Sequence, residues 1–262
     1  EAHTPWEWHK DIFDRCKELG LLCFSTPFDA SSVEFLEKLN APAYKIASPE
    51  ILDIPLIQKV ARTGKPVIMS TGMANIQEIA EAVQAAKKAG CKDLVLLKCT
   101  SAYPASPKDS NLATIPHMKD LFGVQVGISD HTPGIGVPLA AIALGATVVE
   151  KHITLKRSDG GVDAAFSLEP HEFSQLVSES ARVRDAIGKI KYGPVKNEKG
   201  AIKFRRSLYF VQDLQKGDVI TKDDIQSLRP GDGISPKYFD IVLGKKVTCD
   251  IKIGDPVLWD RF

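Results

Sequence analysis

Between residues 20 and 155 short apolar runs alternate with amphipathic helical stretches, and this alternation limits the chain to a parallel sheet packed against helices. The runs are LLCFSTP (21–27), AYKIAS (43–48), PVIMST (66–71), LVLLKCT (94–100), VQVGISD (124–130) and TVVEKHIT (147–154). Each is short and nearly unbroken, as expected of parallel strands buried on both faces. Helical spacing appears between them in ASSVEFLEKL, ILDIPLIQKVARTG, NIQEIAEAVQAAKKAG, a shorter segment around residues 111–121, and GVPLAAIALG. Several of these stretches end at a Gly just ahead of the next strand. PWEWHKDIFDRCKELG reads as a helix before the first run, and HEFSQLVSESARVRDAIG as one after the last.

Repeated βα units form either an open, doubly wound sheet or a closed (β/α)8 TIM barrel. The barrel is favoured because no GxGxxG or GxxxxGK(S/T) phosphate loop follows any run, and polar residues end all six of them. A barrel needs eight strands and six runs are visible, so the expected architecture is strands 3–8, as though two βα units were missing upstream. The barrel part is expected over residues 1–188. Residues 189–206 are rich in Lys, Arg and Gly without apolar periodicity and read as a linker. Residues 207–262 form a compact module with an internal echo, DLQKGDVI from Asp213 and DIKIGDPV from Asp250, each read as strand, tight turn at Gly, strand.

A net charge of +1, from 34 Lys plus Arg against 33 Asp plus Glu, gives neither nucleic acid nor a membrane surface an electrostatic reason to bind. Small-molecule chemistry is therefore the expectation. EAHTPWEWHK lacks the apolar stretch of a signal peptide, and no run approaches the roughly 20 apolar residues of a membrane helix. Five scattered cysteines suit reduced thiols, and with them a cytoplasmic location.

Alternation along a strand puts residues two apart on one face. Ser129 then shares a face with His131, and Glu150 with His152, at the ends of neighbouring strands. Two imidazoles there fit a divalent metal with open positions, although spacing alone favours two hydrogen-bonded strand-end side chains. Lys45, Ser48 and Glu50, Ser25–Thr26, and Ser70-Thr71-Gly72 end three successive strands and form a cationic, hydroxyl-rich rim suited to phosphate or carboxylate. Lys45 also fits a Schiff-base lysine or a structural ion pair with Glu50. Ser101 and Tyr103 add polar groups on one face, while Lys98 points away by parity. The loop LKRSDGGVDAAFSLEP brings Asp159 and Asp163, in the position where barrel loops carry specificity.

STPFD (25–29), PAYKIAS (42–48), PVIMSTGM (66–73), LLKCTSAYP (96–104), GISDHT (127–132), EKHIT (150–154) and DAAFSLEP (163–170) together resemble the phosphoenolpyruvate-dependent sialic acid synthase family. The C-terminal module, with RSLYF and LRPGDGISP, resembles that family's antifreeze-like (SAF, β-clip) domain. The opening TPWEWH and the RSDGGVDAAFSLEP loop look most like the bacterial pseudaminic acid synthases, with N-acetylneuraminic and legionaminic acid synthases as near alternatives. The resemblance implies condensation of phosphoenolpyruvate with an open-chain amino sugar, 2,4-diacetamido-2,4,6-trideoxy-L-altrose for the pseudaminic type. It further implies that Thr26, Lys45, Ser48, Ser70, Ser101 and Ser129 line the phosphoenolpyruvate site. His131 and His152 would hold a divalent metal, Mn first and Mg or Co as alternatives. Glu50, Tyr103, Glu150 and Asp163 would hold the sugar or handle protons. Arg229 would enter the partner subunit's site in a domain-swapped homodimer. The family's first two strands, with a phosphoenolpyruvate-binding lysine and a sugar-side glutamate, have no match here. Two other readings stand beside this one: a Schiff-base aldolase using Lys45, and an inactive fragment that binds only a sugar or a partner subunit.

Overall fold

A computed structural model describes residues 4–262. Its contacts divide into two units, 1–188 and 189–262. In the first, helix α1 (Trp6–Glu18) and helix α2 (Ala30–Lys38) precede a parallel sheet of five strands. The strands are β1 (Tyr44–Ile46), β2 (Val67–Ser70), β3 (Leu94–Cys99), β4 (Gln125–Asp130) and β5 (Val149–Lys151), each beside its sequence neighbour. Helices α3 (Ile54–Ala61), α4 (Ile76–Lys88), α5 (Thr114–Phe122) and α6 (Gly136–Ala143) make the crossovers, and α7 (Pro170–Ile187) follows β5.

The register shows how the chain sorts its side chains. Tyr44, Val67 and Leu94 lie on one rung, and Ile46, Met69, Leu96 and Val126 on another. All are buried in one core with Leu56, Ile57 and Val60 of α3 and Ile79, Ala82, Val83 and Ala86 of α4. Those helix positions recur at helical spacing, so α3 and α4 each turn a single stripe onto the sheet. Asn75 sets where α4 begins: its side chain accepts from the backbone N–H groups of Gln77 and Glu78, and Glu78 accepts in return from the Asn75 N–H.

One expected strand differs. The 21–27 run forms only a parallel bridge, Ser25 to Tyr44, and Leu21, Leu22 and Phe24 are exposed. That run borders the β1 edge with a ladder partner on one side only, so its apolar character does not lead to burial on two faces.

The second unit pairs β6 (Ser207–Phe210) with β7 (Ile225–Leu228) in antiparallel fashion, and its core gathers Leu208, Phe210, Ile220, Ile225, Val242, Val247, Ile251 and Val257. Residues 189–206 group with this unit; they are exposed throughout and carry 3-10 turns over Lys196–Phe204. The internal echo is a structural pseudo-two-fold. Asp213 accepts from the Ile253 N–H at 2.8 Å, and Asp250 from the Lys216 N–H at 2.9 Å. Leu214 and Ile251 exchange both backbone hydrogen bonds, the Gly217 N–H reaches the Val247 carbonyl, and the Gly254 N–H reaches that of Phe210. Gly217 and Gly254 occupy matching left-handed turns at φ of 98° and 93°.

Candidate functional site

The sheet face opposite the helices collects the polar residues. Lys45 on β1, Ser70 at the end of β2, Cys99 at the end of β3, Ser129 on β4 and Glu150 on β5 alternate with the core-facing positions. The Lys45 ammonium donates to Ser70 Oγ at 2.7 Å and to the Ile46 carbonyl at 3.0 Å, and stands 3.6 Å from Glu150 Oε2. Burial pushes the Lys45 amine below its usual range, with the Glu150 and Cys99 charges opposing that shift. Glu150 Oε1 accepts from Ser129 Oγ at 2.7 Å. The ion pair with Glu50 weighed from sequence does not form; Glu150 takes that place.

Ser48 and Ser101 flank Gly72. The Gly72 N–H donates to Ser48 Oγ at 3.0 Å, and a Cβ at residue 72 would lie 2.2 Å from Ser101 Oγ and 2.8 Å from Ser48 Oγ. Only a glycine lets this strand end meet both hydroxyls. Cys99 Sγ lies 3.8 Å from Ser101 Oγ. Burial pushes the Cys99 thiol up, but His131, Ser48 and Ser101 outweigh it and bring the thiol to about 7.

The two histidines come together as parity implied. Their ring centroids are 5.2 Å apart at 70°. His131 Nδ1 lies 2.9 Å from the Thr100 carbonyl and His152 Nδ1 3.4 Å from Asp163 Oδ2. Burial pushes both imidazoles down; Cys99 and the Thr100 carbonyl reverse this for His131, whereas the neighbouring His131 charge adds to it for His152. Tyr103 packs on His131 with centroids 4.2 Å apart, and Phe166 sits 5.0 Å from His152. Among the described residues no group of three or more His, Cys, Asp or Glu stands together as a ligand set. The pair still fits a divalent ion: with Nδ1 of His131 bonded to a carbonyl, its Nε2 is left as the donor, in the arrangement usual for metal-binding imidazoles.

Asp163 is delivered by a loop anchored to the start of α7. The Arg157 N–H donates to Glu169 at 2.9 Å, and its guanidinium bonds the Ser167 carbonyl and both carboxylate oxygens of Glu172. The Arg157 guanidinium, followed by the Glu169 N–H, holds the Glu172 carboxyl down at about 2.

Four of the residues singled out from sequence stand outside this contact network. Thr26 follows the Ser25 bridge and is half-buried, Glu50 keeps a buried Oε2 without a hydrogen-bond partner, and Arg229 is exposed in the second unit just after β7. Asp159 ends an exposed 3-10 turn. Cys99 was missed, although it shares the parity of Ser101 and Tyr103. So were Asp130 and Lys151, which parity sends to the opposite face.

This sheet with its strand-end polar site, followed by a small β module, defines a barrel-type α/β protein. Residues 1–192 match the NeuB family and residues 205–262 the SAF domain. The chain belongs to the NeuB family. It is 40% identical over 262 residues to the pseudaminic acid synthase of Helicobacter pylori, a match covering 99% of this chain and 77% of that protein. To an N,N'-diacetyllegionaminic acid synthase of Campylobacter jejuni it is 39% identical over 247 residues, covering 93% of this chain and 74% of that protein. The crystal structure of a Bacillus subtilis spore coat polysaccharide biosynthesis protein superposes with a TM-score of 0.68 at 31% identity, over 99% of this chain and 78% of the other. Among the described residues no helix is long and apolar enough to cross a membrane.

Proposed function

We propose that this chain is a cytoplasmic pseudaminic acid synthase, condensing phosphoenolpyruvate with 2,4-diacetamido-2,4,6-trideoxy-L-altrose. The observation that carries this reading is the shared face on which Lys45, hydrogen-bonded to Ser70, stands beside Glu150 and Ser129, with the histidine pair at the same strand ends. The 40% identity to a pseudaminic acid synthase supports the choice of sugar.

In the reaction, C3 of phosphoenolpyruvate bonds to the sugar's aldehyde carbon and water adds at C2. The C2–O bond then breaks, and phosphate departs with that oxygen. Lys45, with Ser48, Ser70, Ser101, Ser129 and Thr26, binds the phosphate and carboxylate, where a desolvated ammonium attracts an anion strongly. Glu150, oriented by the Ser129 hydroxyl, accepts the proton lost by water, and the aldehyde oxygen gains one as the C–C bond forms. Tyr103, Glu50 and Asp163 hold the sugar. His131 and His152 would hold a divalent ion, Mn before Mg or Co, which when bound supplies Lewis-acid polarisation of the aldehyde. Arg229 acts on the sugar in the other subunit of a domain-swapped homodimer.

Incubation with Mn(II), phosphoenolpyruvate and a panel of 2-acetamido sugars tests this. Phosphate release and a product of the mass of pseudaminic acid are expected with the L-altrose derivative. Release only with a legionaminic or N-acetylneuraminic precursor reassigns the sugar, and no release with any sugar rejects the reading. The burial that pushes Lys45 down also favours a second reading, a Schiff-base aldolase. Borohydride trapping in the presence of substrate marks Lys45 in that case and leaves it unmodified in ours.

A further inference from the structure

Asp130 and Lys151 form an ion pair whose side chains are only 2% and 1% exposed, on the helix-packed face of the sheet directly behind the histidines. They are the last cross-strand partners of β4 and β5. Three successive levels alternate across the sheet: Ser129 and Glu150 hydrogen-bonded on the site face, Asp130 and Lys151 on the other, then His131 and His152 on the site face again. Both histidines thus lie one residue past the end of the backbone ladder, where strand pairing no longer sets their separation.

His131 is tied by its Nδ1 to the Thr100 carbonyl and by its own carbonyl to the Ala105 N–H, His152 by its carbonyl to the Leu168 N–H, and a buried network closes behind both. The Lys151 ammonium contacts Asp130 Oδ2 at 2.5 Å and also donates to the Thr132 carbonyl. Asp130 accepts from the Thr132 N–H at 3.0 Å and from Thr132 Oγ1 at 3.1 Å. One ammonium therefore grips the residues on either side of His131, and it belongs to the residue immediately before His152. Stability is a weak explanation for such a pair, because desolvating two charges costs as much as, or more than, their attraction returns.

We propose that Asp130 and Lys151 are positioning residues that set the spacing and orientation of the His131–His152 pair. The inference rests on the reading above that the two imidazoles work together. If it holds, charge and hydrogen bonding are needed at these two positions even where apolar residues would fold as well.

The test is the full chain carrying Asp130→Leu together with Lys151→Met, a double substitution that removes both charges at once and leaves neither unpaired. In metal-free protein, NMR of the imidazole protons reads the geometry directly: a cross-relaxation peak between the two rings is expected in wild type and lost in the double variant. Titration with Mn(II) or Co(II) is expected to show at least tenfold weaker binding in the double variant, with Tm equal to or above wild type. An unchanged ring-to-ring peak with unchanged metal affinity overturns the proposal. Wild type that binds neither ion fails the metal reading of the histidines instead, and the ring-to-ring peak then decides the positioning role alone. If the double variant does not fold, Thr132→Val, which only removes one partner of the Asp130 carboxylate, takes its place. A shift of the His131 protons is expected there, and an unchanged spectrum overturns the proposal.

Discussion

Lys45 combines two demands that conflict. A buried ammonium is what an anionic substrate needs, yet burial disfavours the charge in the folded chain and pushes its pKa below the ordinary 10.5. The folded state then binds this proton less tightly than the unfolded state. The cost is fully present at pH values below the folded pKa and disappears as pH rises toward 10.5. Lys45→Met is expected to lack the gain in Tm that wild type draws from this group as pH rises from the lowered Lys45 pKa toward 10.5. Under the proposed function, phosphoenolpyruvate is expected to raise the Tm of wild type by binding only the folded state and to leave this variant unmoved. Differential scanning fluorimetry across pH, with and without phosphoenolpyruvate, checks both statements. The position of Lys45 on the site face was legible from strand parity. Its partner was not, because Glu150 lies 105 residues away in sequence while Glu50 lies five away, and only the order of strands decides between them.

At the scale of elements, the loop between β5 and α7 depends on Arg157. Its guanidinium spans the Ser167 carbonyl and Glu172, which closes the loop onto the first turn of α7 and leaves Asp163 beside His152. Glu172 also accepts the Glu169 N–H, so the same carboxylate caps the helix and anchors the loop. Arg157→Ala is expected to raise KM for the sugar several-fold while changing KM for phosphoenolpyruvate little, since the residues proposed to bind phosphoenolpyruvate lie on other strands. The clamp is also expected to survive acid: a Glu172 pKa lowered from 4.5 to about 2 keeps its contribution fully above 4.5 and loses it only as pH falls through about 2. Hydrogen exchange over residues 155–169 checks this, with protection at pH 4 in wild type and loss of protection at the same pH in Arg157→Ala. The loop could be recognised from its residues as a polar, glycine-containing segment. The anchor could not, because many acids precede and follow Arg157 and nothing local selects Glu172.

At the scale of the whole molecule, the proposed homodimer makes a prediction that no single subunit can satisfy. His131→Ala removes a residue of the barrel unit and Arg229→Ala one of the C-terminal unit. Each variant alone is expected to lose most of its activity. Mixed after dissociation and reassociation, they are expected to recover up to about a quarter of wild-type activity, the share of sites that combine two intact halves when subunits pair at random. Phosphate release by the mixture measures this, and absence of recovery would place Arg229 with the site of its own chain. Within the C-terminal unit, the echo of Asp213 and Asp250 was visible in the sequence as a repeated string. Its meaning as a two-fold exchange of backbone hydrogen bonds was not, since a repeat states that two segments resemble each other and not that they pair.

The sequence by itself determined what depends on period and local chemistry: the βα order, the stripes that α3 and α4 bury, the sides on which Ser129, His131, Glu150 and His152 fall, and the family. All but the family follow from side-chain alternation and helical spacing, which act over a few residues, and the family follows from the resemblance of its motifs. Only the tertiary structure decided that the 21–27 run stays a single bridge, that Cys99 lies among Ser48, Ser101 and His131, and that Asp130 and Lys151 close behind the histidines. These are contacts between distant segments, chosen by strand order and by which charges burial leaves without water. A chain read one residue at a time carries no record of that choice.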